Sequence, residues 1–334
     1  MQNLIDPAIL FFIFGVVAGA LRSNLEIPQQ IAKFLSLYLL MALGLKGGFA
    51  LAKSGFGVEV MVSLSAAIAM AFLVPTIGYA FLKNRIPKFD AAAVAAAYGS
   101  VSAVTFVTAM QFLESSGLTF GGHMAVAMVL MESPAIIMAV LLANALRHGQ
   151  AAVNFTGGGA AMLGPSSTNQ NLSIRKILHE SFTDGAHLLL LGSMAIGFIS
   201  GESGKAVMQP FSGDLFKGML AFFLLDMGLM VARNFSDARK ASVVLLGYAG
   251  IAPFVHASLA LALALLLDMS AADTALLMVL SASASYIVVP AVLRYAIPEA
   301  NPALYFGLSL GVTFPLNILI GIPLYTAMAQ YFLG

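Results

Sequence analysis

The chain has 334 residues, of which 60% are hydrophobic and 9% are charged, and its mean hydropathy is +0.94. Soluble domains carry about 25% charged residues, so this composition excludes a soluble globular protein and indicates a polytopic membrane protein. The net charge of +1 excludes a basic surface for nucleic acid, and the absence of cysteine excludes disulfides and thiol chemistry. Residues 1–6 lack the positive charge of a signal peptide, so we expect the first apolar segment to remain in the protein.

Charged residues, glycines and prolines divide the chain into apolar segments, which are long enough to cross a hydrocarbon core of about 30 Å. In the first half we predict membrane helices near 7–21, 28–52, 58–82, 90–113 and 123–146. In the second half we predict them near 182–199, 215–231, 241–267, 271–296 and 303–332. The long polar stretch between the halves, residues 147–176, is predicted to be a linker.

Several stretches of the first half match stretches of the second at nearly the same distance along the chain. Residues 45–53 resemble residues 225–233, Ser102 falls on Ser285, and Pro134 falls on Pro315. Each half has an odd number of helices, so the second half inserts upside down relative to the first. The sequence therefore predicts an all-α membrane protein of ten transmembrane helices, built from inverted five-helix repeats at 1–146 and 177–334.

Small and hydroxyl residues interrupt two apolar segments at corresponding places. They cluster at residues 97–106 in the fourth segment and at residues 281–290 in the ninth. Paired interruptions of this kind indicate the binding site of a secondary transporter. We predict that helices 4 and 9 are broken here and cross near the middle of the membrane. The alternative is that these residues only allow close packing of helices.

Positive residues are distributed unevenly between the loops. The loops after helices 1, 3, 5, 7 and 9 have ten lysines and arginines: Arg22, Lys83, Arg85, Lys88, Arg147, Arg175, Lys176, Arg233, Arg239 and Lys240. The opposite loops have at most four, Lys205, Lys217 and, depending on the helix ends, Lys46 and Lys53. The positive-inside rule predicts a cytoplasmic linker and both termini outside.

Three stretches carry a resemblance to a known family. Residues 99–105 read Gly-Ser-Val-Ser-Ala-Val-Thr, residues 131–135 read Met-Glu-Ser-Pro-Ala, and residues 283–302 include Leu-Arg, Ile-Pro and Ala-Asn-Pro. They resemble motifs of the sodium-dependent bicarbonate permeases, and the resemblance extends through both halves. It implies a homotrimer in the bacterial inner membrane, with gate and core domains each built from both halves. It also implies bicarbonate–sodium symport and a PII-like regulatory protein as a candidate cytoplasmic partner.

The broken helices supply the groups that a small anion needs, because helix N-termini and hydroxyls are donors without full charge. The candidate substrate-binding residues are Gly99, Ser102, Ala103, Val104, Thr105, Ser283, Ala284, Ser285 and Tyr286. Glu132 is the candidate carboxylate for a sodium ion, together with Ser102 and Ser283. No other cofactor is expected.

The sequence departs from the family's pattern at several of these positions. Tyr286 stands where the family has an aspartate, and Lys46 and Asp226 are charged where the family is neutral. A lysine can take the electrostatic role of a bound cation, so we expect weakened sodium dependence, with Lys46 neutralising Glu132 or Asp226. The alternative is that Lys46 faces an aqueous vestibule. The histidines His123, His187 and His256 lack metal-ligand spacing and are predicted to be packing residues.

The chain has no pattern of an intramembrane enzyme, such as His-Glu-x-x-His, Gly-x-Gly-Asp or a cysteine nucleophile. We therefore predict a transporter, a symporter of a small anion, bicarbonate first, coupled to sodium. Two alternatives stay open. One is an organic-anion or proton-coupled carrier of the same fold, and the other is a membrane sensor or binding protein that does not transport.

Overall fold

The computed structural model describes residues 6–55, 57–156, 185–238, 241–286 and 288–334, and within these ranges every regular element is helical. The first half contains α1 (Pro7–Ala20), α2 (Gln29–Ser54), α3 (Val58–Leu82), α4 (Lys88–Gly99), α5 (Ala103–Ser115) and α6 (Met124–Thr156). The second half contains α7 (Gly185–Gln209), α8 (Leu215–Ala238), α9 (Val243–Leu266), α10 (Ala271–Ala282), α11 (Val288–Ala296) and α12 (Pro302–Leu333). A π-helical turn, Pro210–Asp214, joins α7 to α8.

Within the part of the chain that the structure describes, seven stretches are long and apolar enough to cross a membrane. The stretch Lys88–Ser115 comprises α4 and α5 together, and Gly185–Phe235 covers most of α7 and α8. The helices α1 and α10 are apolar but shorter. Helices of this length and hydropathy make the chain a multi-pass membrane protein, while the number of ten crossings stays a prediction.

Three helices extend beyond their predicted ends. Helix α6 continues to Thr156, so residues 147–156 of the predicted linker are helical, and residues 157–176 lie outside the described residues. Helix α8 continues to Ala238, and α7 reaches Gln209 across a break in helical geometry at Gly201, where φ is 54°. Hydropathy marks only the apolar part of a helix, whereas backbone hydrogen bonding continues into polar sequence.

Two helix pairs approach so closely that only glycine fits between them. A Cβ on Gly15 of α1 would lie 2.3 Å from the carbonyl oxygen of Leu225 on α8. A Cβ on Gly228 of α8 would lie 2.2 Å from the carbonyl oxygen of Phe12 on α1. Between α2 and α7, a Cβ on Gly48 would lie 2.1 Å from the carbonyl oxygen of Met194. The first helix of each half therefore packs on the second helix of the other half, through small-residue contacts typical of membrane helices.

The remaining helices form a second group. In the first half α3 packs on α4 and α6, and in the second half α9 and α12 pack on α10. Residues 91–97 of α4, almost all alanine, are fully buried, because short side chains let neighbouring helices come close on every side. We call α1, α2, α7 and α8 bundle one, and α3–α6 with α9–α12 bundle two.

Candidate functional site

The first break separates α4 from α5 over three residues. Helix α4 ends at Gly99, where an added Cβ would lie 2.6 Å from the ring of Pro75, so the close approach of α3 requires glycine. Ser100 is extended, with ψ of 177°. Ser102 then caps α5, because its Oγ accepts a hydrogen bond from the backbone N–H of Thr105 at 3.2 Å.

The second break separates α10 from α11. Helix α10 ends at Ala282, and Ser283 is extended, with φ of −81° and ψ of 167°. The Oγ of Ser285 accepts a hydrogen bond from the backbone N–H of Val289 at 3.3 Å. Ser285 therefore has the same role before α11 that Ser102 has before α5, as their matching positions in the two halves predict.

The two breaks contact each other directly. The backbone N–H of Ser102 donates to Ser283 Oγ at 3.0 Å, and the backbone N–H of Ser285 donates to the carbonyl oxygen of Ala97 at 2.9 Å. Each break thus supplies a partner to a polar group that the other leaves outside its helix, which hydrocarbon could not do. The structure breaks both helices where the sequence predicted and brings the two breaks together.

Asn317 is a residue of this region that sequence reasoning missed. Its Nδ2 donates to the carbonyl oxygen of Ala282, the last residue of α10, at 2.8 Å, and its Oδ1 accepts from the Tyr325 hydroxyl at 3.1 Å. Asn317 begins a π-helical turn in α12, and such turns are frequent at functional sites. The sequence signal that could have identified it is an amide side chain in the middle of an apolar helix.

A cavity of about 90 Å³ lies against both breaks. Its walls come from α2, α5, α6, α7 and the residues before α11: Ser36, Leu40, Val101, Ser102, Ala103, Val104, Met128, Glu132, Ala186, His187, Leu190, Ser285 and Tyr286. Ser102, Ala103, Val104, Ser285 and Tyr286 of the predicted set therefore line it. The other predicted residues, Gly99, Thr105, Ser283 and Ala284, are not among its lining residues. We call this space the break cavity.

The break cavity presents donors to a ligand. The backbone N–H groups of Ala103 and Val104, in the first turn of α5, have no acceptor among the described residues. The hydroxyl of Tyr286 lies 3.5 Å from Ser102 Oγ, and its ring packs edge-on against Phe314. Amides at a helix N-terminus and a phenol provide positive potential without a formal charge, which suits an anion.

Glu132 and His187 form a buried pair in the wall of the break cavity. His187 Nε2 contacts Glu132 Oε2, and the residues are only 6% and 7% exposed. The prediction of His187 as a packing residue is therefore wrong. The sequence feature that could have identified His187 is an ionisable side chain near the start of an apolar segment. Ionisable residues inside a membrane are functional by default.

The three residues expected to hold sodium do not form an oxygen cage. Glu132 faces an imidazole, and Ser283 Oγ, which is not in the cavity wall, binds the backbone at Ser102 and Leu280. Ser102 Oγ accepts from both the N–H and the hydroxyl of Thr105. Within the described ranges, no group of three or more His, Cys, Asp or Glu side chains could hold a metal ion.

Lys46 lies in a different place from the one expected. Its Nζ is 2.9 Å from Glu114 Oε2 on α5 and 4.1 Å from the centroid of the Phe216 ring on α8. The expectation that Lys46 neutralises Glu132 or Asp226 is therefore wrong, because the long lysine stem carries the charge to a water-filled space. Asp226 is buried on α8 and lines neither this space nor the break cavity.

The water-filled space, which we call the vestibule, has a volume of about 980 Å³. Four lysines and three acidic residues line it: Lys46, Lys53, Lys205, Lys217, Glu114, Glu202 and Asp214. It shares no lining residue with the break cavity. The alternative reading of Lys46, a residue facing an aqueous vestibule, is the one that fits the structure.

Comparison with known proteins agrees with this architecture. Residues 7–330 match the Na+-dependent bicarbonate transporter superfamily, which is nearly the whole chain. None of the curated proteins searched matches the chain. The match covers both broken helices, the Glu132–His187 pair and every other helix described above except the last three residues of α12. The chain therefore belongs to the Na+-dependent bicarbonate transporter superfamily.

Proposed function

We propose that this protein is a secondary carrier of a small anion, with bicarbonate as the first candidate, and that the anion binds in the break cavity. The observation that supports the proposal most is the meeting of two helix breaks at one cavity. The first turn of α5 and the residues before α11 line the same space. A carrier needs such fixed dipoles because they attract an anion without holding it as firmly as a full charge would.

The size of the cavity favours a small anion over an organic one. Its volume is about 90 Å³, and a single water needs about 10–15 Å³ of such space. Pockets for drug-sized ligands are about 300–1,000 Å³. An anion with a few heavy atoms and several acceptor oxygens, such as bicarbonate, matches both the space and the donors. The organic-anion carrier is therefore the weaker candidate.

The packing supports the finer architecture that we propose, ten transmembrane helices in two inverted repeats. The first helix of each half packs on the second helix of the other, and Ser102 and Ser285 cap corresponding half-helices. Such an exchange of partners is expected of two halves related by a pseudo-twofold axis in the membrane plane. Bundles one and two would then be the parts that move relative to each other, with the break cavity at their boundary.

Other features remain proposals that rest on family membership. They are the homotrimer, the bacterial inner membrane, the PII-like regulatory partner and the absence of an enzymatic activity. The proposal that both termini lie outside rests instead on the positive-inside rule. Sodium is the coupling ion that the family suggests. The oxygens around Glu132 fit sodium poorly, because Glu132 contacts an imidazole and the hydroxyls of Ser102 and Ser283 bond neighbouring residues.

Uptake into proteoliposomes tests the proposal. The expected result is protein-dependent accumulation of labelled bicarbonate beyond that of empty liposomes, which correct for diffusion of carbon dioxide. Bicarbonate, formate, nitrate and acetate, compared by thermal stabilisation, would rank the anions by size. Stabilisation without uptake would support the non-transporting sensor instead. If no small anion either stabilises the protein or enters the liposomes, the proposal is wrong.

A further inference from the structure

A carboxylate in the wall of an anion site requires an explanation. Glu132 is buried and lines the break cavity with the amides and hydroxyls described above. A negative charge there repels an anion, and a buried charge without a partner is costly. Anion binding therefore requires a positive charge or a proton that compensates Glu132.

His187 already occupies the position beside Glu132 that such a cation would take. Its Nε2 reaches Glu132 Oε2, and both side chains line the cavity. Glu132 belongs to α6 of bundle two and His187 to α7 of bundle one. An imidazole between the carboxylate and its surroundings can donate a hydrogen bond and, when doubly protonated, neutralise the carboxylate completely.

The serine oxygens of the two breaks, on Ser102 and Ser285, bond residues of the half-helices that follow them rather than being arranged around an ion. Ser102 Oγ accepts two hydrogen bonds from Thr105, and Ser285 Oγ accepts one from Val289. Hard cations are bound by several oxygens that converge on one point. The cavity wall instead combines helix amides, a phenol and an ion pair, which suit an anion alone.

We infer that His187 replaces the coupling sodium ion: it supplies the positive charge beside Glu132, so the anion binds and is carried without sodium. This inference rests on the proposed function. It makes His187 a residue that compensates the charge of Glu132 in the site. Bundle one contributes His187, whereas bundle two has both helix breaks. The use of His187 in place of sodium also distinguishes this chain from the sodium dependence in the name of its family.

The first test compares anion binding and uptake in sodium chloride and in choline chloride at equal ionic strength. The expected result is agreement within about twofold between the two salts, for both bicarbonate stabilisation and uptake. A requirement for sodium of tenfold or more overturns the inference while leaving the proposed function intact. Absence of binding and uptake in both salts contradicts the proposed function itself, so the two failures are distinguishable.

The second test removes the imidazole. His187→Gln leaves Glu132 beside the anion without its partner, so anion affinity should fall at least tenfold in both salts. His256→Gln is the matched control, because His256 is also a buried histidine but lies on α9 outside the cavity. Unchanged affinity of a folded His187→Gln in both salts overturns the inference.

A double variant keeps the test decisive if His187→Gln does not fold. Glu132→Gln combined with His187→Gln removes both charges and retains two side chains that can hydrogen-bond each other. The expected result is a folded protein, judged by size-exclusion chromatography, that binds the anion in choline within about tenfold of the wild type. Binding by this variant that requires sodium, or loss of binding in both salts from a folded protein, contradicts the inference.

Discussion

The vestibule and the break cavity differ in the charged side chains that line them. The vestibule is about ten times larger, opens to water and is lined by seven charged side chains, of which Lys46 and Glu114 pair across the two bundles. The break cavity has two ionisable groups that face each other, and otherwise hydroxyls, amides and apolar side chains. Both spaces lie between bundle one and bundle two.

The difference shows how attraction and selection of an anion can be divided in one molecule. Mobile charges in a wide, wet space raise the local concentration of an anion, but salt screens them and they distinguish poorly between anions. Fixed dipoles in a narrow space are screened little and depend on size and geometry. We therefore expect the two spaces to respond differently to substitution and to salt.

The largest effect is expected from filling the break cavity. Ser102→Leu with Ser285→Leu places two bulky side chains in a space of about 90 Å³ and removes both half-helix caps. Anion binding should weaken by about 100-fold or more, equivalent to about 2.8 kcal/mol. Thermal stabilisation by bicarbonate measures this.

Two controls separate the filling of space from other effects. Ser102→Ala removes the cap of α5 at a cost of about 1 kcal/mol but leaves the cavity open, so binding should weaken only a few-fold. Ala50→Leu adds the same side chain to the vestibule wall, where there is room. Wild-type binding by the double leucine variant would show that the anion binds elsewhere.

A smaller effect is expected when the residue that supports the second break, Asn317, is replaced. Asn317→Ala leaves the carbonyl oxygen of Ala282 and the hydroxyl of Tyr325 without their partner. Unfolding should become easier by about 1–3 kcal/mol, the usual cost of a buried polar group without a hydrogen bond. The melting temperature measures it, with Thr326→Val as the control, because the Thr326 hydroxyl bonds only its own helix. Equal effects of the two substitutions would show that Asn317 does not support the break.

The vestibule should respond to salt where the break cavity does not. Lys46→Gln removes one of four lysines, so uptake at low substrate concentration should fall about threefold at low ionic strength. The deficit should shrink as salt rises, since screening shortens the reach of surface charge to about 8 Å at physiological ionic strength. Lys46→Arg keeps the charge and should behave as the wild type. A deficit that is independent of salt would place Lys46 in the binding site after all.

Sequence reasoning found what depends on local pattern. The two interruptions at 97–106 and 281–290 identified both helix breaks, because they occur at corresponding places in the two halves. Ser102 and Ser285 were predicted to bind the substrate, and the structure shows that they also accept hydrogen bonds from the first turns of α5 and α11. Apolar segments also gave the cores of the membrane helices, with the largest errors at helix ends such as Thr156.

Sequence reasoning failed where the partner depends on three-dimensional packing. Lys46 was expected to take the role of a bound cation beside Glu132 or Asp226, but its ammonium pairs with Glu114 on α5. His187 appeared isolated, since its partner Glu132 is 55 positions away along the chain. Nothing in one sequence gives the relative rotation of two helices, so pairings of this kind require the structure. The close helix contacts that bring such residues together occur at glycines such as Gly48. No rule of sequence spacing predicts that Gly48 lies against Met194.

The ion pair of Arg147 and Glu299 lies outside both spaces and shows how little an exposed contact contributes to stability. Arg147 Nε and Nη2 donate to the two oxygens of Glu299 at 2.9 and 2.8 Å, and Nη2 also donates to the carbonyl oxygen of Ala296. This contact connects α6 to the turn after α11. Both side chains are more than one third exposed, so solvent screening limits the contribution to about 0–1 kcal/mol.

The smallest predicted effect is therefore that of Glu299→Gln, a decrease of at most about 1 kcal/mol in stability with unchanged anion binding. The hydrogen bonds from Arg147 hold the pKa of Glu299 below its ordinary value. A carboxyl with a lowered pKa contributes stability above its pKa in the unfolded chain and loses it as the pH falls through its pKa in the folded protein. The difference in melting temperature between wild type and Glu299→Gln should thus be constant near neutral pH. It should begin to shrink as the pH falls below about 4.3, the ordinary pKa of a glutamate, and disappear once the pH is below the lowered pKa of Glu299 in the folded protein. A difference that grows on acidification would contradict the assignment of this pair, and a change in anion affinity would show that the contact is coupled to the break cavity.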